Sequence, residues 1–199
     1  MKHRALLAAA VAALAAVSIP VAGAGVQPAP PDTKAMVLQL SDLPHGFGRS
    51  QGVYVTNAYL DRVSAVNKDY EKLGRLAGYR VTYRRVGISG VLGVDAFASI
   101  YRSSSGAHDS YTQSLAGAVQ DGGPTFRWLP LRPRLGSETR VYVVTELQSG
   151  MRVDYYTIAW RHGRVFAEVI GGGVSGRITL AQVAALARKQ EERIVAALD

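Results

Sequence analysis

On either side of His162-Gly163 the chain alternates apolar and polar residues from 155 to 170, the mark of a β-hairpin. With His162 and Gly163 as a two-residue turn, Trp160 stands opposite Val165, Ile158 opposite Ala167, and Tyr156 opposite Val169. Cross-strand partners point the same way, so these six side chains make one apolar face, and Thr157, Arg161, Arg164 and Glu168 take the other. Such a ribbon belongs near the centre of a sheet. Residues 140–148 alternate as well, and a Ser149-Gly150 turn leads them into 152–160, which predicts a three-stranded meander. Further upstream, residues 79–86 put Tyr79, Val81 and Tyr83 on one face and Arg80, Thr82 and Arg84 on the other. After Gly87-Ile88-Ser89-Gly90 the chain returns over 91–101 with Leu92, Val94, Ala96, Ala98 and Ile100 on one face and Asp95 on the other, within reach of an arginine. Residues 52–56 are a further short strand.

Elsewhere the period changes to that of a helix. Tyr59, Val63, Val66, Tyr70 and Leu73 recur at spacings of four and three behind an Asn57 cap, predicting a helix over 58–73. Ala107, Tyr111, Leu115 and Ala118 do the same over 106–119, capped by Ser104 or Ser105. At the C-terminus Thr179 and Gln182 form a capping box ahead of a stripe of Val183, Leu186, Gln190, Ile194 and Ala197. A shorter helix over 34–40 would turn Met36, Val37 and Leu40 inward and stop before Pro44. Runs of strands joined by short turns and interspersed with helices define an α+β fold. The expected architecture is an antiparallel sheet of about six strands with helices packed on it, the C-terminal helix included.

The first 24 residues stand apart. Lys2 and Arg4 precede a thirteen-residue apolar run over 5–17, Pro20 breaks it, and Ala22-Gly23-Ala24 offers small residues to a signal peptidase. Residues 1–24 therefore read as a signal peptide, with an uncleaved anchor as the alternative, and 25–31 as a proline-rich tether. Residues 32–199 are then a single α+β domain, secreted or held in the cell envelope. There is no cysteine, which excludes disulfides, thiolate zinc sites, cysteine nucleophiles and a lipid-anchored cysteine. The formal charge of +8 falls by two when Lys2 and Arg4 are removed, and Lys34, Lys68, Lys72 and Lys189 are the only lysines that remain. An arginine-rich surface is either a solubilising one or one attracted to anionic envelope polymers or lipid headgroups. Nothing in the chain is a nucleic-acid recognition motif.

The phrase Leu40-Ser41-Asp42-Leu43-Pro44-His45-Gly46-Phe47 resembles the opening of exported bacterial single-domain proteins. Some of these have a fold similar to the PsbP/LpqN type, in which a short helix leads into an antiparallel sheet. The resemblance implies a fold and no activity.

Candidate chemistry is sparse. Gly171-Gly172-Gly173-Val174-Ser175-Gly176 fits G-x-G-x-x-G, but it follows the second arm of an antiparallel hairpin, and no strand carboxylate follows to take a ribose hydroxyl. A flexible connector to the last helix is the expected role. His45, His108 and His162 have no metal-ligand spacing. Ser89 and Ser175 sit in Gly-x-Ser-Gly, one residue short of a nucleophile elbow. Residues 125–136 form the least regular stretch, a loop holding Phe126, Arg127, Trp128, Arg132 and Arg134 among Pro130 and Pro133. Arginines beside an exposed indole suit an anionic or aromatic ligand, and aromatics that plug the end of the core are the alternative. Tyr59, Tyr70 and Tyr111 join Arg127, Trp128, Arg132 and Arg134 as candidate ligand-binding residues. Their helical stripes line either a pocket or the core. The expectation is a binding or envelope-associated module that needs no cofactor. A carrier with a cleft between sheet and helices is the first alternative, and a hydrolase built from scattered groups such as His108 or Asp154 is the second.

Overall fold

The computed structural model describes residues 31–63, 69–87, 89–130 and 134–199. Strands β1 (Phe47–Tyr54), β2 (Arg75–Arg85), β3 (Gly93–Tyr101), β4 (Arg127–Leu129), β5 (Glu138–Gln148), β6 (Met151–His162) and β7 (Val165–Val174) build one sheet. Their order is β1-β2-β3-β7-β6-β5-β4, and every neighbouring pair is antiparallel. Helices α1 (Asn57–Val63), α2 (Ser104–Gly122) and α3 (Leu180–Leu198) complete it. Strand β4 is the one beyond the expected six. It forms inside the stretch expected to be an irregular loop, by pairing Trp128 with Tyr142. Among the described residues no helix is long and apolar enough to cross a membrane. Residues 1–30, which hold the expected signal peptide and all of the expected tether but Pro31, lie outside the described residues.

Alternation along the strands sorts side chains onto two faces. Tyr79, Val81, Tyr83, Val94, Ala96, Ala98 and Ile100 share the first face with Ile158, Trp160, Val165, Ala167 and Val169, all buried. Helix α3 covers this face through Val183, Leu186, Ala187 and Ile194, and the segment around Met36, Val37 and Leu38 covers the rest. The capping box of Thr179 and Gln182 starts α3 where the spacing predicts. Within its stripe Gln190 is fully buried and donates through Nε2 to the Phe97 carbonyl at 2.9 Å, so a polar residue on an apolar face is held by the sheet backbone. On the second face a smaller cluster of Tyr101, Ala107, Tyr111, Ala159 and Phe166 seats α2.

The central hairpin keeps its faces and changes its partners. The turn is Gly163-Arg164, so His162 pairs with Val165, Trp160 with Ala167 and Ile158 with Val169, two positions away from the expected register. Gly163 has φ +54°, and a two-residue turn that places glycine first needs that left-handed value there. A shift of two leaves each residue on its own face, and Trp160 and Val165 still point into one core.

Three helical expectations need correction. Residues 34–40 make turns and not a helix, with a 3-10 turn at Leu40–Asp42, and Leu38 is buried where Leu40 is exposed. Helix α1 is described only to Val63, with both Tyr59 and Val63 exposed, and residues 70–74 form a turn. Asn57 is the first residue of α1 and takes a bond from the buried Arg75 through Oδ1 at 2.8 Å. Helix α2 is capped by Ser103, one residue earlier than expected. The glycine run is not a loose connector either, since Gly171–Val174 belongs to β7. A Cβ at Gly171 would strike Val183, one at Gly172 the Tyr155 ring, and one at Gly173 the Gly90 carbonyl. These glycines let α3, a ring and a neighbouring turn press onto the sheet.

One ion pair fastens the N-terminal segment to α3. Arg193 reaches both carboxylate oxygens of Asp42, at 2.6 and 3.0 Å, and Lys189 donates to the Asp42 carbonyl. Partial burial works to raise the Asp42 pKa, but the hydrogen bond from Arg193 and that from the Gln39 amide hold it below the usual carboxylate value. A depressed pKa contributes stability that is complete above the unfolded value of about 4 and is lost as pH falls through the folded value. Melting temperature should therefore decline from roughly pH 5 to pH 3, and Asp42→Asn should decline less steeply over that window. Identical slopes for the two proteins would contradict this.

Candidate functional site

Helix α2 packs on β7, β6 and β3, and β5 flanks it in the same direction. At its start His108 Nδ1 is 3.0 Å from Glu138 Oε2, and at its end Gly122 packs against Phe126 and Val144. Its buried edge is pinned to the sheet: Tyr101 donates to Ser110 Oγ at 2.6 Å, and Tyr111 meets Phe166 edge-on at 6.0 Å. The next stripe round the helix faces a cleft of about 500 Å³. His108, Tyr111, Thr112, Leu115, Ala116 and Val119 form that wall, at the three- and four-residue spacings of one helix face. Trp128, Arg134, Ser137, Glu138, Thr139 and Arg140 form the other.

Charge in the cleft is unevenly committed. Glu138 accepts from Arg161 Nη2 at 2.6 Å and Nε at 2.7 Å, and from His108. Burial pushes its pKa up, but the bonds from Arg161 and His108 outweigh that and hold the carboxyl below its ordinary value. Arg134 and Arg140, in contrast, form no ion pair or hydrogen bond through their guanidinium groups among the described residues. Burial pushes the Tyr111 hydroxyl up to about 12, so it stays a neutral donor or acceptor at the floor of the cleft. Trp128 is 49% exposed, yet its ring is braced by Phe126 at 4.8 Å and Tyr142 at 5.9 Å, with Phe126 stacked on Tyr142. A braced aromatic loses little conformational freedom when it binds.

Of the seven residues singled out from sequence, the structure gathers Trp128, Arg134 and Tyr111 around this cleft. Arg127 precedes Trp128 on β4 and so points to the opposite sheet face. Arg132 lies outside the described residues. Tyr59 sits on α1 under Arg62, and the Tyr70 amide is bonded to Asp61, both on the β1–β2 side of the sheet and away from the cleft. His108, Glu138 and Arg140 are the additions. The signal for His108 was available, since 108, 111, 112, 115 and 119 are themselves a helical stripe adjoining the buried one.

Among the described residues lining the cleft, no hydroxyl is paired with a base. Ser137 Oγ donates to the Arg161 carbonyl at 3.0 Å, Thr139 Oγ1 to the Leu135 carbonyl, and His108 is committed to Glu138. Asp154 takes a bond from Thr145 and shares the sheet face of Trp160, on the far side from His108.

Sheet, helices and cleft together define an α+β module with a helix on each face of an antiparallel sheet and an open groove under one of them. Among solved structures the chain is similar to the extracellular domain of PknH from Mycobacterium tuberculosis, at 12% identity and a TM-score of 0.60, over 86% of this chain and 100% of that one. At that identity the likeness is one of fold, and it bears on the sheet and helices, not on residues 40–47 or a PsbP/LpqN type. No family model and no curated protein matches the sequence.

Proposed function

We propose that this chain is an extracytoplasmic recognition module that binds a small organic anion in the α2–β5 cleft without covalent chemistry. The unpaired guanidinium groups of Arg134 and Arg140 beside the braced indole of Trp128 carry this reading. A concave site with a few polar groups converging on apolar walls is what small-molecule recognition requires. Location outside the cytoplasm is supported by the pattern of residues 1–24 and by the fold shared with an extracellular domain. The excess of arginine extends the reading to weak, salt-sensitive attraction toward anionic envelope polymers or headgroups, a property of the surface and separate from the cleft.

Native mass spectrometry of the protein purified from its own host tests the proposal. The wild type should carry an adduct of small mass that the double variant Arg134→Glu/Arg140→Glu lacks, while both melt within a few degrees of each other. Equal spectra for the two proteins would defeat it.

A further inference from the structure

The cleft has two unlike ends. His108, Arg134, Ser137 and Glu138 stand where α2 begins, and Leu115, Ala116, Val119 and Trp128 where it finishes. Because α2 and β5 run side by side in one direction, the lining residues between 108 and 119 mark out a groove about 16 Å long at 1.5 Å per residue. Along β5, residues 138, 140 and 142 alternate onto this face, with Arg140 between Glu138 at the charged end and Tyr142 beneath Trp128 at the apolar end. Val119 and Trp128 are both about half exposed at the apolar end, so a strip of carbon surface there remains uncovered.

From this polarity we infer that the ligand is an elongated amphiphilic anion. Its head group lies against Arg134 and Arg140, and its hydrocarbon tail runs along Leu115, Ala116 and Val119 to the Trp128 ring. The inference rests on the cleft reading above and narrows it. Glu138 does not offer a free negative charge to a cationic ligand, because the Arg161 guanidinium already pairs with it through two nitrogens and His108 occupies its other oxygen. Reversing the ligand would bring its head group toward the Tyr142 end, where the Tyr142 hydroxyl donates to Glu168 at 3.4 Å and Asp121 in the last turn of α2 adds a second negative charge. The direction is thus fixed by charge at both ends. A compact dianion would satisfy the arginines and leave the Val119–Trp128 strip wet, while a neutral alkane would cover the strip and leave the arginines unused. Only a molecule with both parts uses the whole groove.

The chain has two tryptophans, and Trp160 is fully buried, so quenching or a blue shift of the exposed emission reports on Trp128. Butanoate, octanoate and dodecanoate, each below its micelle concentration, should bind with affinity rising roughly twofold to fourfold per methylene. Dodecanol should bind at least about tenfold more weakly than dodecanoate, the cost of losing a charge-assisted head group. In Arg134→Ala/Arg140→Ala that advantage should vanish, and in Val119→Asn the dependence on chain length should flatten. In Trp128→Phe the optical signal should disappear, and calorimetry should find dodecanoate bound more weakly than by the wild type, because the tail loses part of its aromatic wall. If butanoate binds as tightly as dodecanoate, the amphiphile inference falls and the cleft reading stands; if dodecanol matches dodecanoate, the anion reading of the cleft falls with it. If no acid perturbs Trp128 and calorimetry detects no binding, both fall.

Discussion

Glu191→Ala should cost the protein about 2–3 kcal/mol, a large effect for a charged residue of the last helix, and one that follows from its mostly buried side chain. One carboxylate closes three donors: Oε2 accepts from Trp160 Nε1 at 2.6 Å, and Oε1 accepts from His162 Nδ1 at 2.7 Å and from the Gly136 amide at 3.1 Å. His162 and Gly136 are partly open to water, which can replace the lost acceptor. Trp160 is fully buried and lacks that exchange, so its indole N–H is left unpaired inside the core. That single desolvated donor dominates the cost. Glu191→Gln keeps one acceptor oxygen and should lose about half as much, whereas a purely packing role for Glu191 would spare the glutamine variant altogether. Denaturant melts of the three proteins in a Trp128→Phe background check this, with Trp160 emission as the probe. A cost below about 0.5 kcal/mol for the alanine variant would show that the clasp does not bind α3 to the sheet.

That clasp also shows where sequence reasoning stops. Alternation alone assigned Trp160, Val165, Ile158, Ala167 and Val169 to one face, because a strand has a fixed period of two and burial tolerates no other face. It did not assign the partners, since those depend on which residue adopts the positive φ of the turn, and a two-residue slip changes no face. Strand β4 was missed because three residues next to Pro130 carry no period, and its ladder to residues 141–143 of β5 is a long-range fact. The Gly171-Gly172-Gly173 run was misread for the opposite reason. Glycine is poor in strands by propensity, but here Val183, Tyr155 and the Gly90 turn demand a surface without side chains.

The site divides in the same way. Trp128 and Arg134 stood out as an indole and a cation in an irregular stretch, and Tyr111 as a stripe residue. Their convergence and the exclusion of Tyr59 and Tyr70 came from strand order, which no local pattern encodes. Glu138 and His108 are thirty positions apart and meet only because α2 lies along β5. The free state of Arg134 and Arg140 is visible only after Arg161 is seen to claim Glu138.

Gly106→Ala should damage both stability and recognition, because the residue sets how deeply α2 sits. A Cβ there would fall inside the contact distance of the Leu73 carbonyl oxygen, which is backbone and has little room to yield. The turn that carries Leu73 is itself tied down: Gly74 has φ +73° and its carbonyl accepts from the Arg102 amide at 2.8 Å, just ahead of the Ser103 cap. Relief must therefore come from lifting the first turn of α2, which loosens Ala107 and the Tyr101–Ser110 bond beneath it. Overpacking of this kind costs about 1–3 kcal/mol. The same lift carries His108 and Tyr111 away from Glu138 and Arg140, so dodecanoate affinity should fall at least about fivefold, from about 1 kcal/mol of lost contact. Gly123→Ala at the other end of the helix is the matched control. Its φ of +50° makes alanine strained, but its Cβ would meet open space, so the helix keeps its seat. It should melt earlier by a similar or smaller amount and bind the acid as the wild type does. Loss of binding in both variants alike, or in neither, would mean that the depth of α2 on the sheet does not control the cleft.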